Sequence, residues 1–345
     1  MQFSGQAKPP VGILYDSDFG NRIGPALALC LLYGLDGKNE ARVVSISVSK
    51  PNLKAAGLAE VFGRFYAGAV SGNFGAIGRN LPVGLASEGG DASDTAMLGV
   101  LDKKDAEGKL AFEHGLHSIN DTADPVPLLR NALTSQYDQN CLVVLNGPAT
   151  NLARLLALPD AKGWIERKAR VLVIAGGPFP AAPHVAALRK VLTEWPGAIA
   201  FVGDDVGAAV RYPAASIETD FSWSPAHPLV EAYRAAGQMP YDASTAELAG
   251  VLYAVREKEK FFGVSEAGTL QVSDDGKMSL TPGAGGRHRR LTPDAAQQEK
   301  LLKTYIELVT AKPVPRAPRF RRPVVDPAKP ADGKDAKKEV PPEKK

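Results

Sequence analysis

The segment running from Val11 to Leu35 constrains the fold more than any other part of this chain. Residues 11–15 are apolar apart from Gly12. They lead straight into Asp16-Ser17-Asp18, and residues 26–35 follow as a stretch rich in alanine and leucine. A short apolar run without alternation predicts a strand buried on both faces, and the Ala/Leu stretch predicts a helix. Strand, acidic loop and helix in that order open an α/β unit. Asp16 and Asp18 then lie at the carboxyl end of a parallel strand, the edge where open α/β sheets bind ligands.

The same alternation continues along the chain. Strands are predicted at 42–48, 81–85, 141–145, 170–174 and 199–202, and helices at 53–69, 125–134, 152–158, 185–194, 228–236, 245–256 and 295–310. Residues 86–120, rich in Gly, Ser and Asp, read as loop over the carboxyl end of the sheet. Residues 261–281 read as a small antiparallel hairpin turning at Asp275-Gly276. The fold class expected is α/β: an open, mostly parallel sheet with helices on both faces and a small antiparallel hairpin near the C-terminus. No internal repeat is present.

Charge separates the body from its end. Of the total net charge of +3, residues 312–345 contribute +6, from 11 Lys/Arg against 5 Asp/Glu, so residues 1–311 carry −3. A mildly acidic body gives no nucleic-acid footprint. The last 34 residues also hold eight prolines and too little apolar area to offset the entropy of ordering. The expected organisation is a flexible N-terminus (1–10), one domain (11–311) and a disordered basic tail (312–345). No run of 18 apolar residues marks a membrane span. Residues 1–10 lack the apolar core of a signal peptide, which points to the cytoplasm, or to secretion if a leader precedes them. Cys30 and Cys141 read as buried, reduced packing residues rather than a metal pair.

Several blocks, in order, carry a resemblance. They are Asp16-Ser17-Asp18-Phe19-Gly20-Asn21 with Ala26-Leu27-Ala28-Leu29; residues 43–48 with Asn52; Asn146-Gly147-Pro148-Ala149-Thr150-Asn151-Leu152-Ala153; residues 171–177, ending in Gly176-Gly177; residues 203–207; and His227-Pro228 followed by residues 250–256. This set resembles the nucleoside hydrolase family over roughly residues 10 to 290, the block from Asn146 to Ala153 being the strongest match. The resemblance implies a doubly covered parallel sheet, a small-molecule nucleoside or riboside ligand, a homo-oligomer, and hydrolysis of an N-glycosidic bond assisted by a calcium ion.

By the same resemblance Asp18 is the base and a calcium ligand, Asp16 its companion, and the carbonyl of Leu145 or Asn146 a further ligand. Glu247 stands at the distal acid position, or Asp242 if the loop slips. Asn52, Asn146, Asn151 and His227 are the residues expected near the riboside. The chain also departs from the family pattern: Arg22, Gly24 and Pro25 replace loop acids, and Pro178 and Pro180 replace a Glu-x-Asn that holds ribose hydroxyls. Calcium is held by six to eight oxygens. A fixed positive charge about 5 Å from a divalent ion costs about 6 kcal/mol at an effective dielectric of about 20. Calcium affinity is therefore expected to be weak or absent. The two functional expectations are a nucleoside hydrolase-like enzyme with an impaired calcium site and a catalytically silent ligand-binding protein on the same fold.

Structural roles compete with these. Asp16 and Asp18 can cap the next helix or pair with Arg22, and Arg22 can substitute for the metal or lie on the surface. His114 and His117 lack a third ligand at zinc spacing. Asp204-Asp205 suit a turn or helix cap, and Gly176-Gly177 a tight strand exit.

Overall fold

The computed structural model of the chain describes residues 9–68 and 81–314. The end segments expected to be flexible therefore lie almost wholly outside the described residues. The sheet is assembled from β1 (Val11–Ser17), β2 (Ala41–Val48), β3 (Val83–Leu85), β4 (Cys141–Asn146), β5 (Ala169–Ala175), β6 (Ala198–Val202), β7 (Gly263–Val264), β8 (Gly268–Val272), β9 (Met278–Pro282) and β10 (His288–Thr292). Its order is β3-β2-β1-β4-β5-β6-β10-β8-β9, with β7 beside β10. The pairings from β3 through β6 to β10 are all parallel, and those among β7 to β10 are antiparallel.

β1 and β4 are neighbours in space, although β2 and β3 come between them in sequence. The chain first winds outward from β1 and then returns to build the other half. That reversal leaves a crevice between the carboxyl ends of β1 and β4, the position at which doubly wound sheets take ligands. The register sets Ser17 beside Asn146 and Asp16 beside both Ser47 and Leu145.

Burial on both faces explains why β1 shows no alternation. Val11, Ile13 and Tyr15 enter one apolar core and Leu14 the other. The first core packs α1 (Ile23–Gly37), α2 (Leu53–Gly68), α9 (Pro228–Ala236), α10 (Ala246–Arg256) and α11 (Gln298–Val309) on one face. The second packs α3 (Pro125–Thr134), α4 (Thr150–Leu155), α5 (Ala161–Lys168) and α6 (Ala182–Glu194) on the other. Two short helices, α7 (Asp204–Ala209) and α8 (Ala214–Thr219), connect β6 to α9.

The expected elements form, with differences that have local causes. The hairpin is β8–β9, turning at residues 273–277, and it does not stand apart. β10 pairs parallel with β6 and meets β8 at His288 and Gly268, so the hairpin extends the main sheet. β10 reads His-Arg-Arg-Leu-Thr, a sequence without apolar alternation; it is held by its neighbours' backbones. Residues 86–120 are largely irregular, with 3-10 turns at Ala96–Asp102 and Ile119–Asp121.

α1 packs closely on α11. A Cβ at Gly34 would collide with the Leu308 carbonyl oxygen, so glycine is required for the approach of the two backbones. Gly34→Ala is expected to destabilise. The overpacking cost of about 1–3 kcal/mol outweighs the gain of alanine over glycine in a helix, at most about 1 kcal/mol. A lower urea midpoint checks this; an unchanged or higher midpoint would show that α11 yields.

Candidate functional site

Where β1 ends, the chain turns outward and α1 begins at Ile23. Arg22 immediately precedes the helix in extended conformation, and no side chain caps the helix start. Its guanidinium points back across the β1–β4 crevice. Nη1 donates to Glu247 Oε1 at 2.8 Å; Nη2 donates to the Asn146 carbonyl at 3.3 Å and to Asp18 Oδ1 at 3.4 Å. Three oxygens, from the β1 loop, the end of β4 and the first turn of α10, thus converge on one cation. The Phe179 ring flanks it, with the guanidinium carbon 5.3 Å from the ring centroid.

Glycines make the arrangement possible. A Cβ at Gly24 would collide with the Glu247 carboxylate, and one at Gly176 would lie 2.9 Å from Arg22 Nη2 and 3.0 Å from Glu247 Oε1. Gly176 and Gly177 also have positive φ, 86° and 112°, forming the tight exit from β5. Burial pushes the Glu247 carboxyl pKa up, and the guanidinium pulls it back. Burial disfavours the charged guanidinium, but Asp18 and Glu247 more than offset this and hold it protonated.

Asp16 has a different environment. It is fully buried, its Oδ2 accepting from the Ser47 hydroxyl and from Asn151 Nδ2 at 2.9 Å, while Oδ1 is buried with no hydrogen-bond partner among the described residues. Burial pushes its pKa up to about 7; the Ser47 and Asn151 hydrogen bonds oppose the rise. Asn146 donates through Nδ2 to the Tyr15 hydroxyl at 3.1 Å, and Tyr15 donates to the Pro25 carbonyl at 2.7 Å. That chain ties the end of β4 to the start of α1. Among the described residues, buried polar atoms without a hydrogen-bond partner gather here: Asp16 Oδ1, Ser17 Oγ, Ser49 Oγ, Asn146 Oδ1 and Asn151 Oδ1, with Arg22 Nε and Thr150 Oγ1 beside them.

The structure thus brings together Asp16, Asp18, Asn146, Asn151 and Glu247. Of the two carbonyls considered, that of Asn146 faces the cluster. Asp242 lies elsewhere and accepts from the Ala214 backbone N–H at 2.9 Å, at the start of α8. Asn52 caps α2, accepting from the Lys54 N–H at 2.8 Å, and donates to Ala92 and Asp94 of the overlying loop. His227 caps α9 through Nδ1 and packs among Phe65, Phe221 and Trp223; burial pushes its pKa down to about 3. Both stand outside the hydrogen-bonded group around Arg22. Asp204 and Asp205 form the first turn of α7. Cys30 and Cys141 are buried free thiols.

Two residues were missed in the sequence. Phe179 sits between Pro178 and Pro180, and a rigid Pro-Phe-Pro loop after a glycine pair was the available signal. Lys50 follows β2, and its side chain is fully buried, donating to the Asp91 carbonyl at 2.8 Å. It anchors the loop that also meets His184 through the Gly89 carbonyl. A cavity of about 10 Å³, bordered by Gly147, Pro148, Gly176, Gly177, Phe179 and His184, adjoins the crevice. A larger trough of about 600 Å³ between α6 and β8, lined by Arg189, Gln271 and Arg287, contains none of the residues singled out in the sequence.

The donor set does not fit calcium. The guanidinium already sits among the oxygens that would bind the ion, and among the described residues no group of three or more His, Cys, Asp or Glu side chains could hold a metal.

Asp16 generates a pH dependence. An acid whose folded pKa lies near 7 rather than 3.8 binds more protons folded than unfolded between those values. Its contribution to stability is therefore complete below pH 3.8 and is lost as pH rises to about 7. The loss is at most about 1.4 kcal/mol per pH unit. Asp16→Asn is expected to flatten the decline in urea midpoint between pH 5 and pH 8 relative to the parent; parallel declines would refute the assignment.

No family model matches the chain, and no curated protein matches it. Solved structures do. An inosine-guanosine nucleoside hydrolase aligns at 15% identity over 86% of this chain and 98% of its own, with a TM-score of 0.63. A purine-preferring ribonucleoside hydrolase from Gardnerella vaginalis aligns at 12% identity over 87% and 98%, with a TM-score of 0.62. The type III effector protein XopQ complexed with adenosine diphosphate ribose aligns at 14% identity over 90% and 96%, with a TM-score of 0.63. The chain has a nucleoside hydrolase-like fold.

Proposed function

We propose that this protein binds a nucleoside or related riboside in the β1–β4 crevice, as a ligand-binding protein rather than a calcium-dependent hydrolase. The observation that carries the reading is the group of buried polar atoms at the crevice that have no hydrogen-bond partner among the described residues: Asp16 Oδ1, Ser17 Oγ, Ser49 Oγ, Asn146 Oδ1 and Asn151 Oδ1. Buried polar groups in folded proteins are normally satisfied. Sugar hydroxyls both donate and accept, so they suit a lining of carbonyl oxygens and hydroxyls. The fold supports the same ligand class, since its structural neighbours are nucleoside hydrolases and an effector complexed with adenosine diphosphate ribose.

The carboxylates are poorly placed for metal-assisted hydrolysis. Asp16 is buried against Ser47 and Asn151, and Asp18 is shared between Arg22 and Asn21. A hydrolytic second reading rests on Asp18, whose contacts of 3.3 and 3.4 Å are long enough to yield to a substrate. Binding requires the crevice to open, because a riboside needs about 300 Å³ or more and the adjoining cavity has about 10 Å³.

Calorimetry against adenosine, inosine, uridine, ribose and adenosine diphosphate ribose tests the reading. Binding of at least one is expected, weakened ~10-fold by Asn146→Ala, about 1.4 kcal/mol. Free base is expected to stay at background in the same mixtures. Failure of every ligand to bind, or rapid base release abolished by a chelator, would overturn it.

A further inference from the structure

We propose that the trough between α6 and β8 is a separate binding site for a small phosphorylated molecule, with Arg189, Arg287 and His288 holding the phosphate. Its volume of about 600 Å³ lies within the range of about 300–1,000 Å³ usual for small-ligand pockets. Residues 1–311 carry a net charge of −3, yet the residues that line the trough include two arginines and a histidine and neither Asp nor Glu. A lining of that sign on an acidic body selects for an anion.

The backbone sets these side chains in place. Gly285 has a φ of 86°. A Cβ at Gly286 would lie 2.3 Å from the Gly268 carbonyl oxygen, so this glycine-rich turn presses directly on β8 and delivers Arg287 and His288 to the trough. His288 is buried, and its Nδ1 accepts from the Leu270 N–H at 2.9 Å. Burial, and then the Arg287 charge, push its pKa down. The ring is therefore neutral at neutral pH with its proton on Nε2, a donor of fixed direction.

Arg189 Nη2 donates to the Val272 carbonyl at 3.4 Å and to Asp274 Oδ1 at 3.1 Å, and Arg287 Nη1 donates to the Pro196 carbonyl. Each guanidinium keeps Nε and its other Nη without a partner among the described residues. The Asp274 side chain is 99% exposed, so its pairing with Arg189 is weak and yields to an incoming anion. Guanidinium forks match phosphate oxygens, and Leu192 and Leu270 give the organic part an apolar wall. Addition of a peptide strand is disfavoured here. The Leu270 N–H and the Val272 carbonyl, which a strand pairing with β8 would use, are already bonded to His288 and Arg189. The inference goes beyond riboside binding in the crevice and does not rest on it.

Calorimetry at fixed ionic strength with glucose 6-phosphate and adenosine monophosphate tests it, with glucose as the control that lacks the phosphate. At least one of the two phosphates is expected to bind with a Kd below ~1 mM, and glucose is expected not to bind. Arg189→Ala and Arg287→Ala are each expected to weaken that binding ~10-fold. Arg287→Gln keeps most of the side chain's length and is expected to weaken it as alanine does. Arg130→Ala, which removes an exposed arginine of α3, is expected to change nothing. Asn146→Ala is expected to leave the phosphate-dependent binding intact, which separates the trough from the crevice.

Binding of neither phosphate overturns the proposal. So does equal binding of glucose, binding insensitive to the substitutions at 189 and 287, or an equal loss in Arg130→Ala. Phosphate binding that depends on Asn146 and not on the two arginines would sink the trough alone. Binding that depends on the arginines, with no ligand sensitive to Asn146→Ala, would sink the proposed function alone.

Discussion

One cation joins three parts of the fold. Arg22 precedes α1 and reaches back to the loop after β1, the last residue of β4 and the first turn of α10. Those elements belong to both halves of the doubly wound sheet and to the helix that covers it. Deleting the guanidinium from this part-buried network would leave the buried Asp18 and Glu247 carboxylates without their counter-charge. The geometry of the crevice therefore depends on a charge carried by the chain. Gly24 follows from this. A side chain at this position would meet the Glu247 carboxylate, so the pairing of Glu247 with Arg22 leaves room for glycine alone.

Much of the fold was legible because local and global signals agree. The bounds of α3 and α9 match the sequence reading, and each starts with proline at its first position behind a capping side chain, Asp124 or His227. The parallel strands were legible as apolar runs. α5 was not: it buries only Ala161 and Ile165, and two residues make too short a stripe to see. β10 was illegible for the opposite reason. Its cationic sequence is tolerated on the outer part of the sheet, where Arg290 meets Asp205 at 2.7 Å and Arg289 faces solvent.

The site was legible as composition and not as contact. Asp16, Asp18 and the block from Asn146 to Asn151 announce a polar strand edge, and the charge of Arg22 among them was visible. Its separation of 225 residues from Glu247 hides their pairing from any local pattern. The structure also sorts two aspartates that sequence treats as equals. Asp16 points to the α4 face, where Asn151 and Ser47 hold it in an interior dry enough to push its pKa up to about 7. Asp18 lies past the strand end, against Asn21 and Arg22. The first is shut in the interior and the second lies beside a cation, so one motif yields two different surroundings.

A sheet of this winding offers its crevice whatever chemistry lines it, because the reversal of strand order separates the loops on either side of β1 and β4. Chemistry is added separately, and fold alone does not fix it. In this chain the crevice has a polar lining, in Asn146, Asn151, Ser17 and Ser49, while the carboxylates of Asp18 and Glu247 are already paired with Arg22. A lining that still seeks partners, beside two carboxylates that do not, favours recognition of a neutral, hydroxyl-rich group over stabilisation of a cation developing on it. Stabilising such a cation takes negative charge free to act on it. Here both carboxylates nearest the mouth already face a guanidinium.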